Sequence, residues 1–195
     1  MPKLGMEPLR REALIAATID EIGTAGTLDV TVAQIARRAG MSSGLAHHYF
    51  GGKDDIFLAA VRHVLKTHLE EVSDELKKAE TPYQRIEGII RASFEGANFR
   101  PEVIACWTNF YVLAQRSDMA RRLLRVYQSR TRSNLAHAFR PLVGGDARRV
   151  ADTVAAMIDG VYLQQGLVKD APDGAAAVDQ ILGCVNVYLR ECEQL

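Results

Sequence analysis

Apolar residues recur along the chain at steps of three and four, and runs of strict alternation are scarce, so the pattern predicts helix almost throughout. A first helix fits residues 8–26, with Leu14, Ala17 and Ile22 facing inward and Gly26 ending it. A short second helix follows Thr31, carries Val32, Ile35, Ala36 and Ala39, and closes at Gly40. A third, very short one fits Ser43 to Tyr49. Gly51-Gly52 breaks the pattern, and Asp54-Asp55 open a long helix reaching about Lys78, since acids in a first turn complement the helix dipole. Thr81-Pro82 marks the next start. Further helices fit about 83–98, 101–116, 118–139, 147–168 and 174–192, punctuated by Pro101, by the run from Pro141 to Gly145 and by the stretch from Asp170 to Gly174. The expected fold is all-α, with about nine helices in two units. These are a three-helix head over residues 1–53, with a helix-turn-helix motif at about 31–50, and a larger helical body for ligand binding and dimerisation over 54–195.

Composition narrows the class without choosing a function. Of 195 residues 48% are hydrophobic, 25% charged and 7% aromatic, which is ordinary for a globular protein able to bury a core without staples. Lys+Arg and Asp+Glu balance at 24 each, which excludes a polybasic protein but not a local basic face. No apolar run is long enough to span a bilayer and no secretory leader pattern opens the chain, so the expectation is a cytoplasmic protein without a membrane partner. Cys106, Cys184 and Cys192 are widely spaced and read as small buried residues, with no metal or redox motif. His63, His68 and His137 fall on polar helical stretches and read as surface. No catalytic signature accompanies the Ser, His and acidic residues, so no catalytic residue and no cofactor are expected.

The informative stretch runs from Thr31 to Phe50. Thr31 and Gln34 have the spacing of a capping box, Gly40 allows the left-handed turn between two short helices, and Ser42 suits the N-cap of the second. That is the arrangement of a helix-turn-helix, whose second helix enters the major groove of double-stranded DNA. From Val30 through Lys53 there is no acid, while Arg37, Arg38 and Lys53 are basic. The run Ala-Gln-Ile-Ala-Arg-Arg-Ala-Gly-Met-Ser-Ser-Gly over residues 33–44, with His48-Tyr49-Phe50 and Lys53, resembles the DNA-binding signature of TetR-type repressors. Many members have an aromatic residue where this chain has His47. The resemblance implies that Ser42, Ser43, Gly44, Leu45, His47 and His48 present the recognition helix to base edges. It also implies that Tyr49 and Lys53 hold phosphates, with Thr31 and Gln34 as lesser contacts.

A second cluster lies in the body. Trp107 and Tyr111 are i,i+4 neighbours with Phe110 on the same sector, and Asp159 and Tyr162 sit i,i+3 on a later helix. Aromatic faces attract quaternary ammonium groups, and a carboxylate in an apolar helix needs a partner. Aromatics at helical spacing also build ordinary core, and the residues alone leave both readings open. The opening Met-Pro-Lys-Leu-Gly-Met, Arg10-Arg11, the stretch 107–111, Ser133-Asn134-Leu135, Phe139-Arg140 and the stretch 158–163 are similar to the branch of the family that responds to choline and represses glycine betaine synthesis. That resemblance implies a small cationic effector, choline, held by Trp107, Phe110, Tyr111, Asp159 and Tyr162, with Glu95 and Asn109 as weaker candidates. A homodimer reading a palindromic operator is expected to form through the last two helices. The apolar positions Val150, Val154, Ile158 and Val161 and Val178, Ile181, Val185 and Tyr188 would be its interface. The ligand would act by tilting the long helix that starts near Asp54. Two alternatives stay open: a repressor answering another cationic or lipophilic compound, such as an efflux substrate, and a helical adaptor.

Overall fold

The computed structural model describes residues 5–167 and 171–192; Val168, Asp170 and the opening residues 1–4, used in the reading above, lie outside them. Among the described residues the chain forms nine α-helices, two 3-10 turns and no strand. The head is built from α1 (Met6–Ala25), α2 (Val32–Arg38) and α3 (Ser43–Phe50), and α4 (Lys53–Lys78) leads from it into the body. The body adds α5 (Pro82–Phe94), a 3-10 turn (Gly96–Phe99), α6 (Pro101–Arg116), α7 (Asp118–Val143), a second 3-10 turn (Gly144–Asp146), α8 (Ala147–Leu167) and α9 (Gly174–Cys192). No helix among the described residues is long and apolar enough to cross a membrane.

Element boundaries follow local chemistry. Helix α1 starts two residues before Pro8, because a proline in the first turn lacks only an N–H that would have no helical partner. Helix α5 stops at Phe94 rather than near Asn98; Gly96, at φ 64, turns the chain into the 3-10 segment. Helix α7 runs past the expected stop at Phe139 and through Pro141, since a proline in the last turn forfeits a single hydrogen bond before the chain leaves at Gly144. Both α2 and α5 open with complete capping boxes, Thr31 with Gln34 and Thr81 with Gln84.

Burial corrects three expectations. Val150, Val154, Ile158 and Val161, with Val178, Ile181 and Val185, are buried inside the protomer, so their face is its own core and cannot meet a partner. The α7–α8 and α5–α9 contacts cover them. The faces left exposed carry other apolar and small residues: Ala156, Gly160, Leu163 and Leu167 on α8, and Gly183, Cys184 and Val187 on α9. His68 is not on the surface but 4% exposed, because its side of α4 faces the body's interior. Of the cysteines only Cys106 is buried, where burial pushes its thiol up to about 12; Cys184 is exposed and Cys192 half-buried.

Candidate DNA-binding head and ligand cage

In the head, Ile35, Ala36, Ala46 and Phe50 are buried with Leu14, Val30, Ile56 and Phe57, which fixes α2 and α3 against α1 and the start of α4. Gly40, at φ 67, makes the turn between them, and the Met41 amide donates back to the Ala36 carbonyl at 2.8 Å. Ser42 accepts from the Leu45 amide at 3.2 Å, so one of its roles is the N-cap of α3. Ser43, Gly44, His47 and His48 are exposed on α3, while Leu45 and Tyr49 are half-buried. His47 Nδ1 lies 2.8 Å from the Gly51 carbonyl, which only accepts; Nδ1 therefore carries the hydrogen and Nε2 is left for another partner.

The basic side chains of the head divide by role. Arg38 donates to Glu21 at 2.6 Å and reaches Thr24, so it staples α2 to α1. Arg37 is exposed. Lys53 Nζ stands 5.5 Å over the Phe57 ring and 3.9 Å from Asp29, a long pair with an exposed partner. Thr31 and Gln34 bond each other in the α2 cap, with Gln34 accepting from the Thr31 amide at 2.7 Å. Arg11 had no expected role. Its guanidinium donates to the Tyr49 carbonyl at 2.5 Å and lies 4.4 Å over the Phe50 ring, closing the C-terminal end of α3 onto α1.

In the body, four of the five expected ligand residues meet around one cavity. Its walls are Trp107 and Tyr111 from α6, Asp159, Ile158 and Tyr162 from α8, Tyr127 from α7, His68 from α4, and Ser93 and Asn98. The Tyr111 hydroxyl donates to Asp159 at 3.0 Å. The Tyr162 hydroxyl donates to the Asn98 carbonyl at 2.6 Å, and the Asn98 side-chain amide donates to Glu71 of α4. Phe110 is buried behind Trp107, 5.7 Å from it, and lines a separate apolar space with Val61, Val64 and Leu65. Glu95 pairs with Arg91, and Asn109 donates to the Ala105 carbonyl and to the Gly26 carbonyl of α1, so neither lines the cavity.

Electrostatically the cavity holds one acid among rings. Burial raises the Asp159 carboxyl above the ordinary carboxylate range, opposed by the Tyr111 hydroxyl, the Arg132 charge and Gln128. Burial also raises the Tyr111, Tyr127 and Tyr162 phenols, which therefore stay neutral donors. Burial pushes His68 down to about 4, with the Ala92 backbone only partly offsetting it, so its imidazole is neutral near pH 7 and does not compete with a cationic ligand. The rings stand close: Trp107 to Tyr127 is 4.7 Å between centroids, and Trp107 to Tyr111 and to Tyr162 is 6.1 Å. A quaternary ammonium sits within roughly 6 Å of each ring it touches, so a cation between Trp107 and Tyr127 requires them to part. Among the described residues no group of three or more His, Cys, Asp or Glu could hold a metal.

Sequence reasoning missed Tyr127 and His68. Tyr127 was legible as one of the apolar series Ala120, Tyr127, Leu135 and Ala138 along the buried side of α7. His68 continues the buried series Val61, Val64, Leu65 and Val72 of α4, and the charges around it concealed that.

A helix-turn-helix head on a helical body that encloses a ring-lined cavity is the arrangement of a transcriptional regulator. The comparisons with known proteins agree. Residues 14–60 match the family of bacterial regulatory proteins of the tetR type, and residues 82–187 match the BetI-type transcriptional repressor C-terminal domain. The chain is 51% identical over 190 residues to the HTH-type transcriptional regulator BetI of Brucella suis, covering 97% of this chain and 96% of that protein. It is 47% identical over 192 residues to the BetI of Rhizobium meliloti, covering 97% and 94%. Solved structures share the fold: a transcriptional regulator from Saccharomonospora viridis in complex with choline (TM-score 0.81, 20% identity, 90% and 95% covered) and a TetR transcription regulator from Haloarcula marismortui (TM-score 0.81, 18% identity, 91% and 97% covered). The chain belongs to the TetR family of transcriptional regulators, which are not enzymes, and its body is of the BetI type.

Proposed function

We propose that this regulator is a homodimeric repressor of the genes that convert choline to glycine betaine, and that choline releases it from a palindromic operator. The observation that carries the effector is Asp159, a half-buried carboxylate hydrogen-bonded to Tyr111 within a cavity walled by Trp107, Tyr127 and Tyr162. Rings and one acid suit a trimethylammonium group, and neutral Ser93, Asn98 and His68 offer partners for a hydroxyl. The BetI names of the relatives and the choline bound to the Saccharomonospora viridis regulator support the same choice.

On DNA, the exposed face of α3 with Ser43, Gly44, His47 and His48 would lie in the major groove, with Ser42 and Leu45 beside it. Tyr49 and Lys53 would hold phosphates, with Thr31 and Gln34 at the start of α2 as further contacts. Two copies would pair through the exposed apolar stripes of α8 and α9, which the protomer leaves uncovered.

Release follows from differential binding. Choline needs the cage rings parted, so it favours whichever body conformation parts them. Two elements carry that change to the head: α4, which brings His68 to the cage and begins beside α3, and α6, which brings Trp107 and Tyr111 and packs on α1. Couplings of about 1–3 kcal/mol change DNA affinity by roughly 5–150-fold. The test is anisotropy of a labelled duplex carrying the region upstream of the chain's own gene, titrated with protein and then with choline at fixed salt. Specific binding lost on adding choline, and kept with equimolar betaine, is expected. Binding indifferent to choline would overturn the effector and keep the repressor.

A further inference from the structure

Helix α4 is tied to the cage at a second point besides His68. Three residues further on, Glu71 accepts a hydrogen bond from the side-chain amide of Asn98. Asn98 belongs to the 3-10 turn Gly96–Phe99, is 2% exposed and lines the cage. Its carbonyl takes the Tyr162 hydroxyl at 2.6 Å, so one buried residue is bound to a cage ring through its backbone and to α4 through its side chain. The turn lies close on Glu71: Gly96 stands at φ 64, where a Cβ would lie 3.4 Å from the Glu71 carboxylate. The Phe99 ring packs on those of Phe94 and Tyr162 at 5.2 and 5.5 Å, which joins the turn to the ring cluster.

The two partners lose different things when they part. Glu71 is half-buried and also lines an open basin on the surface with Asp74, Glu75, Lys78, Arg91 and Glu95. In that basin Arg91 pairs with Glu87 and Glu95, and Lys78 with Glu75, which leaves the Glu71 carboxylate to Asn98 and to solvent. Asn98 has no solvent to turn to, and a buried amide that gives up its acceptor is penalised unless another replaces it. An effector hydroxyl beside Asn98 in the cage supplies that acceptor. We infer that the Glu71–Asn98 bond is a latch by which the unliganded cage holds α4 in its DNA-binding position, and that effector binding opens it. Parting the rings shifts Tyr162, the Tyr162 bond carries the Asn98 turn with it, and α4, which begins beside α3, gives up its hold on the cage. Glu71 is thus a positioning residue for the head that touches neither effector nor DNA. The inference rests on the effector reading above and adds the contact that transmits it.

A latch that closes on the unliganded state opposes the effector, so removing it should help choline and hinder DNA, a pairing that a merely damaged fold does not produce. Calorimetry of the full-length protein with choline, and anisotropy of a labelled operator duplex with and without saturating choline, test this. Glu71→Ala is expected to bind choline about tenfold more tightly than the native protein and, without choline, to bind the duplex more weakly by a similar factor. Choline should then weaken its DNA binding far less than it weakens that of the native protein. Glu71→Gln keeps an acceptor without the charge and should fall between the two. Asp74→Ala removes an acid of the same basin that pairs with Lys77 rather than with the turn, and should match the native protein in both assays. If Glu71→Ala binds neither ligand, Glu71→Gln decides on the same terms. Choline affinity that does not rise in the Glu71 variants, or an equal rise in Asp74→Ala, would overturn the latch and leave the effector reading standing. A native protein that choline neither binds nor releases from DNA would overturn the effector reading and this inference with it.

Discussion

Replacing Asp159 by asparagine separates charge from shape in the cage. The amide keeps an acceptor for the Tyr111 hydroxyl now bound at 3.0 Å, and it fills nearly the same volume. What it removes is the half-buried negative charge that lines the cage beside the rings. Without ligand that charge is a burden, because burial raises the Asp159 carboxyl and only Tyr111, Arg132 and Gln128 oppose the effect. The unliganded variant should therefore melt at the native temperature or slightly above it. With ligand the sign reverses. Two unit charges about 5 Å apart at an effective dielectric of about 20 attract by about 3 kcal/mol. The partial compensation already supplied by Arg132 lowers the usable share to about 1.5–2 kcal/mol, a ten- to thirtyfold loss of choline affinity.

The assay is calorimetry with choline and with dimethylbutanol, its uncharged carbon isostere. The native protein should prefer choline; Asp159→Asn should bring the two ligands close together, mainly by weakening choline. Equal losses for both ligands would refute the electrostatic account and make Asp159 a packing residue. A pH series gives an independent check. Choline favours the ionised carboxylate, so affinity should fall as the pH drops through the raised titration of Asp159, and Asp159→Asn should be flat there.

Two further predictions follow from burial. His68 titrates at about 4 in the folded protein against an ordinary 6.5, so the unfolded chain binds a proton that the native state refuses. Stability should be full above pH 6.5 and decline as the pH falls toward 4, by about 3 kcal/mol at the lower end. Denaturant melts of the native protein and of His68→Gln over that range should show the decline only in the former. Val187, 56% exposed on α9, belongs to the face assigned to the dimer. Sedimentation should give twice the 21.5 kDa chain mass for the native protein and a single chain for Val187→Asp; a native monomer, or an unaltered dimer in the variant, would refute that face.

What the sequence disclosed and what it concealed divide along physical lines. Caps, glycine turns and apolar spacing are local, so α2 and α3 could be placed from Thr31, Gly40 and Ser42, and the cage residues of α6 and α8 from their i,i+3 and i,i+4 spacing. Which side of an apolar helix meets its own body and which meets another chain depends on tertiary packing. Val154 and Ile158 look like interface in the sequence and are core in the fold, while Gly160 and Leu163 stand on the exposed side of α8. His68 shows the same limit: charged neighbours on the other faces of α4 hid a side chain that points into the body. Arg38 was legible as a cation, but its staple to Glu21 links residues seventeen apart, which no local pattern announces.

The contacts between head and body run through two helices that also wall the cavity. Helix α1 meets α6 closely at Gly23, where an added Cβ would lie 2.7 Å from the Glu102 side chain and backbone. One face further along, Asn109 reaches the Gly26 carbonyl at the left-handed end of α1. Trp107 and Tyr111 flank Asn109 on the same helix, so two of the cage rings share a rigid element with the residue that bonds the end of α1. Helix α4 carries His68 at the cage and Glu71 bonded to Asn98, while α6 carries the cage wall and the α1 contact. The close approach of Gly23 to Glu102 leaves no room for a side chain there, so α1 and α6 pack backbone to side chain without slack.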